Sequence, residues 1–243
     1  MVEPEWTTRL RIAFQPIVRL ADRSIVGFEA LARLTDMEDR LSEEADPLFA
    51  RRPGLALVVL RRCAPLLAGW RAQSEAARDW WLSVNAGPEE LLDGEFAEVF
   101  EELRSQQALP AGALRLELTE HSALPDLTLA RTGLQRLSSA GASLAIDDFG
   151  AGATSLSWLV HLPFDCLKLD RSLTQAAEGG ERGRAVARAV AALAHELGAV
   201  CIAEGVETAS QAEILQRCGC SLAQGYLFGR PMDAAVAPNW TTA

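Results

Sequence analysis

Glu29, Asn85, Glu117, the Asp147-Asp148 pair and Glu204 each stand at the end of a short apolar run. The runs are Ile25-Val26-Gly27-Phe28, Trp81-Leu82-Ser83-Val84, Leu114-Arg115-Leu116, Leu144-Ala145-Ile146 and Val200-Cys201-Ile202-Ala203. A single strand-end acid is commonly a helix cap or an arginine partner. A whole set of carboxylates and one amide offers the oxygen ligands that hard cations such as Mg²⁺ and Mn²⁺ prefer. Two adjacent aspartates resist ionising side by side, because like charges raise one pKa. A two-metal site with ions ~3.5–4 Å apart removes that conflict and suits in-line attack at phosphorus. Lys168, in Cys166-Leu167-Lys168-Leu169-Asp170, is the only lysine; every other basic side chain is Arg. Arg stays protonated, whereas a buried Lys can have its pKa lowered and handle protons. Metal-assisted hydrolysis with one proton-handling lysine is the chemistry these residues suit.

The elements that must position them follow from periodicity. Strand-like runs fall near residues 11–18, 25–33, 81–86, 114–119, 143–148, 166–170, 199–204 and 222–228. Helical periodicity fills 55–70, 89–103, 127–137, 182–197 and 209–218. Alternation of this kind predicts parallel βα units, and polar groups at the same end of successive strands converge when such a sheet closes into a barrel. Pro88 and Pro125-Asp126 read as helix starts, Gly198 and Gly219 as helix C-caps. Only Ala21-Asp22-Arg23-Ser24 joins the first two strands, too short for a parallel crossover, so that pair should be antiparallel. The expected fold is an α/β, TIM-type barrel with an antiparallel first strand pair.

Composition agrees. A length of 243 residues suits one barrel domain over 1–243, for which ~250 is typical. The formal net charge of -10 and pI ≈ 4.9 disfavour duplex nucleic acid as a partner. The most apolar stretch, 185–203, is broken by Arg188, His195 and Glu196, so no membrane span is expected. The acidic start, Met1 to Trp6, lacks a signal-peptide core, and a cytoplasmic location is expected. Cys63, Cys166, Cys201, Cys218 and Cys220 read as buried free thiols, since Cys218-Gly-Cys220 has neither zinc spacing nor a histidine nearby.

Motif by motif, the chain resembles the EAL-domain family of cyclic di-GMP phosphodiesterases over about residues 10–232. Phe14-Gln15-Pro16-Ile17 resembles the family's opening strand, Glu29-Ala30-Leu31 with Arg33 its signature, and Val84-Asn85 its asparagine strand. Leu116-Glu117-Leu118-Thr119-Glu120 and Asp147-Asp148-Phe149-Gly150 follow in order. Leu167-Lys168-Leu169-Asp170, Ala203-Glu204-Gly205-Val206-Glu207-Thr208 and the run from Gln224 to Pro231 complete the series. The resemblance implies hydrolysis of cyclic di-GMP to linear pGpG with two Mg²⁺ or Mn²⁺ ions, Ca²⁺ being inhibitory. It implies Glu29, Asn85, Glu117 and Asp147 at one ion, and Asp147 and Asp148, with Glu204, at the second. Lys168 and Glu204 fall at positions that activate the attacking water, with Glu29 counted among the catalytic set. Gln15, Leu31, Arg33, Asp170 and Gln224 fall at substrate-facing positions, and Glu120 at the tether of a loop that couples dimerisation to metal binding. A homodimer, and a regulatory protein partner, are implied in the same way.

Three segments depart from the family pattern. Ala151 and Ala153 replace a Thr and a Tyr in the loop after Asp147-Asp148, the acidic stretch Asp36 to Asp46 replaces a segment that shapes the substrate mouth, and Ala86-Gly87 follows Asn85. None touches an implied metal ligand. The alternative reading is a catalytically weak or inactive cyclic di-GMP receptor. His121, His161 and His195 have no metal spacing, and Ser155 lacks a nucleophile elbow.

Overall fold

The structure is a computed structural model and describes residues 5–34, 52–119, 124, 126–151 and 156–242. Eight strands close into a barrel: β1 (Leu10–Arg19), β2 (Ile25–Leu34), β3 (Trp81–Asn85), β4 (Leu114–Thr119), β5 (Ser143–Phe149), β6 (Cys166–Leu169), β7 (Val200–Ala203) and β8 (Leu222–Gln224). β1 runs antiparallel to both of its neighbours, β2 and β8, and every other pairing is parallel. The short turn dictates this. Asp22 accepts hydrogen bonds from the Ser24 backbone N–H and hydroxyl, and Arg23 takes a left-handed φ of 58°.

Around the barrel lie α1 (Leu55–Gln73), α2 (Pro88–Leu92), α3 (Gly94–Gln106), α4 (Leu127–Ser139), α5 (Leu156–His161), α6 (Arg171–Gly179), α7 (Glu181–Glu196) and α8 (Ala209–Arg217). The single helix expected over 89–103 is two. Asp93 is extended (ψ 124°), closes α2, and caps α3 by accepting from the Glu95 N–H. α5 and α6 carry too few periodic positions to show in the sequence. Gly198 (φ 70°) and Gly219 (φ 98°) do end α7 and α8. The last strand is shorter than expected, stopping at Gln224.

Alternation along the strands sorts the side chains. Phe14 and Phe28 face outward onto Trp70 of α1, with ring centroids 5.0 and 5.4 Å away, and Phe28 also meets Trp80 at 5.3 Å. Leu60, Cys63 and Leu67 of α1 are fully buried in the same layer. Each such leucine contributes roughly 1.5–3 kcal/mol of burial energy. Inside the barrel, Ile17, Ala145, Cys166 and Ile202 form a separate apolar plug. Each is two residues from a polar group: Gln15, Asp147, Lys168 and Glu204. Period-two alternation therefore places a polar tier directly on the plug. Below it, Trp81 lies across the floor so closely that a Cβ at Gly27 would meet its ring at 2.7 Å, and the Arg115 guanidinium stacks on that ring at 3.9 Å.

Candidate active site

Lys168 organises the polar tier. It is fully buried, and its Nζ lies 2.7 Å from Glu117 Oε2, 2.8 Å from Glu204 Oε1, 2.9 Å from Asp147 Oδ1 and 3.3 Å from Glu29 Oε2. Strand order explains the meeting. Glu29, Glu117 and Asp147 lie on β2, β4 and β5, and Glu204 immediately follows β7, so their side chains enter the barrel from all round. Gln224 Nε2 donates to Glu29 Oε2 at 2.7 Å and to Gln15 Oε1 at 3.0 Å, and Asn85 Nδ2 donates to Glu29 Oε1 at 3.0 Å. Gln15, directly opposite Glu29 in register, in turn donates to the Gly229 carbonyl.

Successive side chains of a regular strand point to opposite faces, so Asp147 and Asp148 should not share a site. The register supplies the answer. Ile146 pairs with Leu167 and Phe149 with Leu169, so the two aspartates together span Lys168 alone. This is a β-bulge, and Asp148 has the left-handed φ of 56° that such a bend needs. The Asp148 backbone N–H donates back to Asp147 Oδ1 at 3.0 Å. Two groups of carboxylate oxygens result, each with members within 4.8 Å of one another. Glu29, Glu117 and Asp147 form one; Asp147, Asp148 and Glu204 form the other.

Electrostatics here are extreme because the tier is dry. Burial pushes Glu117 up to about 8, against the pull of Lys168 and with repulsion from Glu29 and Asp147 adding to it. Burial also drives Glu204 well above the usual carboxylate range. Glu29 lies below its ordinary value: burial alone would raise it, but Lys168 and the bonds from Gln224 and Asn85 win. Lys168 corrects the sequence expectation of a lowered pKa. Burial does favour its neutral form, but the surrounding Asp147, Glu117, Glu204 and Glu29 outweigh that and hold the ammonium charged. Glu117 Oε1 and Gln224 Oε1 are buried with no hydrogen-bond partner. Orphaned acceptors beside clustered carboxylates are what a hard cation would satisfy.

A cavity of ≈ 310 Å³ opens above the tier, with Gln15, Glu29, Asp147, Asp148, Lys168, Asp170, Glu204 and Gln224 on its wall. Asp170 is also the N-cap of α6, its Oδ1 accepting from the Ser172 N–H at 2.8 Å. Leu31 and Arg33 are not on that wall; they continue β2 past its last pairing with β3, at Ala30↔Val84, and so stand above the rim. Glu120, His121, Pro125, Ala153, Ser155 and the Asp36 to Asp46 stretch lie outside the described residues.

Besides Gly205 and Gly225, three wall residues have no role in the sequence analysis: Arg171, Glu207 and Tyr226. Arg171 Nη2 lies 2.6 Å from Glu207 Oε1, and the Arg230 guanidinium sits 4.2 Å over the Tyr226 ring. Gly205 (φ 64°) makes room for this arrangement, since a Cβ there would meet Arg171 Cγ at 2.3 Å. Arg171 follows Asp170 directly, but nothing in its flanking residues marks it as facing the cavity.

Known proteins resemble this chain in sequence and fold. The EAL domain family model matches residues 7–231. The cyclic di-GMP phosphodiesterase NbdA of Pseudomonas aeruginosa is 33% identical over 241 residues, covering 97% of this chain and 30% of NbdA. An uncharacterised Mycobacterium tuberculosis protein is 36% identical over 234 residues, covering 91% of this chain and 76% of the relative. The structure of the PaMucR phosphodiesterase in complex with c-di-GMP superimposes with a TM-score of 0.84 at 31% identity, covering 95% of each chain. The chain spans about a third of the length of several curated relatives, 32% and 29% in two of them. No described helix is long and apolar enough to cross a membrane. With its eight-stranded barrel and one reversed strand, the chain belongs to the EAL domain family.

Proposed function

We propose that this protein hydrolyses cyclic di-GMP to linear pGpG with the aid of two divalent cations, Mg²⁺ or Mn²⁺. The observation that carries the reading is the pair of three-carboxylate groups sharing Asp147, gathered around one buried ammonium. Five carboxylates against one lysine leave four negative charges when all are ionised, which is the charge two divalent cations carry. Glu29, Asn85, Glu117 and Asp147 would hold one cation, and Asp147, Asp148 and Glu204 the other. Bound there, the cations would supply the charge that polarises a phosphodiester and activates water.

The chain's own groups do the rest. Asn85 and Gln224 occupy both oxygens of Glu29 and fix its orientation. Lys168 holds four carboxylates in register with a single proton-bearing group. Glu204, on the cavity wall and 2.8 Å from Lys168, would receive a proton from the attacking water while the ammonium donates to its carboxylate. Gln15, Asp170 and Gln224 line the wall where substrate would lie, and Leu31 and Arg33 extend above it. Arg33 offers a planar fork for a phosphate oxygen. Homodimerisation is part of the same proposal, since Leu156 and Val160 of α5 are 64% and 73% exposed one turn apart, and a regulatory partner would act through such a surface.

The test is incubation of purified protein with cyclic di-GMP and Mg²⁺ or Mn²⁺, followed by chromatographic separation of products. Linear pGpG should appear, vanish with excess chelator, and fall when Ca²⁺ replaces the smaller ion. Tight nucleotide binding with no product under any of these metals would replace the enzyme by a receptor.

Metal binding should also depend on pH. Without cations, burial keeps protons on Glu117, up to about 8, and on Glu204, so a cation must displace them. Affinity should therefore rise with pH, by up to about tenfold per unit for each proton displaced, and the share due to Glu117 should level off above about pH 8. Calorimetric titration of Mn²⁺ near neutral pH, in two buffers of different ionisation enthalpy, should show proton release. Identical heats in both buffers would mean that the carboxylates are already ionised.

A further inference from the structure

A second cavity, of ≈ 1070 Å³, lies at the opposite end of the barrel, where Val200, Leu222 and Trp81 begin their strands. Cys220 is on its wall. The Cys220 sulfur lies 3.8 Å from that of Cys201 on β7, and both are free thiols. Backbone geometry holds them together. Ile202 pairs with Leu222 across β7 and β8, so each cysteine is one or two residues from a fixed rung of the ladder. Gly219, beside Cys220, packs its Cα side on Ala191 of α7, where a Cβ would sit 3.6 Å from the alanine's methyl. Cys218 is turned elsewhere, its sulfur 3.6 Å from the Arg184 carbonyl.

We propose that Cys201 and Cys220 form a dithiol site for oxidation by a peroxide, entered from the lower cavity through Cys220. In the first step the Cys220 thiol gives up its proton, the thiolate attacks one peroxide oxygen, the O–O bond breaks to give a sulfenic acid, and the departing hydroxide takes up that proton and leaves as water. In the second, the Cys201 sulfur attacks the Cys220 sulfur, the S–O bond breaks, and water leaves with the Cys201 proton. The peroxide takes up two electrons and the pair becomes a disulfide. Cys220 is the entry point because it is on the cavity wall and Cys201 is not; in the 3.8 Å contact either sulfur can donate. Cys201, behind Cys220 and 3.8 Å from its sulfur, is the resolving partner.

Both thiols are buried, so the first step is slow; the second is intramolecular and fast once a sulfenic acid exists. Closing the sulfurs from 3.8 Å to about 2.05 Å draws the start of β7 towards the segment leading into β8. Those two strands lead to Glu204 and Gln224, so the bridge would tie together two elements that carry the upper site. The site is independent of the hydrolytic reading.

Hydrogen peroxide applied to the folded, full chain should remove the mass of two hydrogens, reversibly with a phosphine. Trypsin should then yield the peptide ending at Arg217 linked to the one beginning at Cys218. The link should persist in Cys218→Ser, disappear in Cys220→Ser and Cys201→Ala, and raise the parent's Tm by several degrees. A folded parent that keeps its reduced mass while the urea-unfolded chain oxidises would overturn the proposal. So would a link that survives Cys220→Ser or runs to Cys218. Should a variant not fold, the parent's linked peptide, mapped by fragmentation to one sulfur or the other, decides alone.

Discussion

Replacing Lys168 by Met is expected to cut turnover by roughly 10²-fold or more and to destabilise the metal-free protein sharply. Four carboxylate oxygens lie within 3.3 Å of its ammonium, and the side chain has no solvent exposure. Removing one member of a buried ion cluster costs ~3–5 kcal/mol, because the remaining charges stay dry and unpaired. At ~2–4 °C per kcal/mol for a chain of this size, Tm should fall by roughly 6–20 °C. Mn²⁺ should restore more of that loss in the variant than it adds to the parent, since the cation replaces the missing positive charge. Thermal melts with and without Mn²⁺ measure both effects. An unchanged metal-free Tm would show that protonated carboxylates, not the ammonium, neutralise the tier. Lys168→Arg is a less clean probe than its conserved charge suggests. The pocket around Nζ is closed at 2.7–3.3 Å on four sides, and a planar guanidinium has no room there.

That closure also shows which parts of the site were legible in the sequence. Glu29, Asn85, Glu117 and Glu204 were readable from a rule with a physical basis, that parallel strands are apolar along their length and turn polar where they reach the barrel rim. The sole lysine pointed to the middle of the acid cluster, but its pKa moves the opposite way from the one expected. Its rarity marked it, but the sequence could not show that four acids would surround it, and those acids reverse the pKa shift that burial alone would produce. Asp147-Asp148 was legible as a pair and opaque as geometry. Only the register slip between Ile146 and Phe149 turns both carboxylates into one site, and a bulge depends on what the neighbouring strand does.

Other features were hidden for similar reasons. The break at Asp93 interrupts a run whose apolar spacing continues through it, so periodicity alone joined α2 to α3. Arg171 opens α6 and Glu207 lies in the loop after β7, and they meet only because Gly205 lacks a side chain. The Cys201–Cys220 contact depends on the β7–β8 register, while the sequence drew attention to Cys218-Gly-Cys220, whose first member faces Arg184 instead. Patterns local to one strand or helix were readable, and juxtapositions set by two strands were not.

Glu29→Gln should be the more severe of two substitutions that look alike in shape. Glu29 accepts from Asn85, Gln224 and Lys168 at once, so each of its hydrogen-bond partners is a donor. A glutamine amide of the same size keeps one acceptor oxygen and turns an NH₂ towards donors, leaving a buried clash that no rotamer removes. It also deletes one negative charge from the group formed with Glu117 and Asp147. Turnover should fall by ~10²–10³-fold, the scale of removing one preorganised electrostatic group from a reacting centre. Gln224→Leu, by contrast, leaves the Glu29 charge and its bonds to Asn85 and Lys168 intact, and removes one orienting donor. Its cost should be ~10–100-fold, seen mainly as weaker metal affinity and relieved by raising Mn²⁺. Excess metal should not rescue Glu29→Gln to the same degree, because the ligand itself is altered. Steady-state rates across a Mn²⁺ series for both variants test the ranking. If Gln224→Leu is the more damaging, or if high Mn²⁺ restores Glu29→Gln to the parent rate, Glu29 is a structural partner of Lys168 and the cation is held by the other acids.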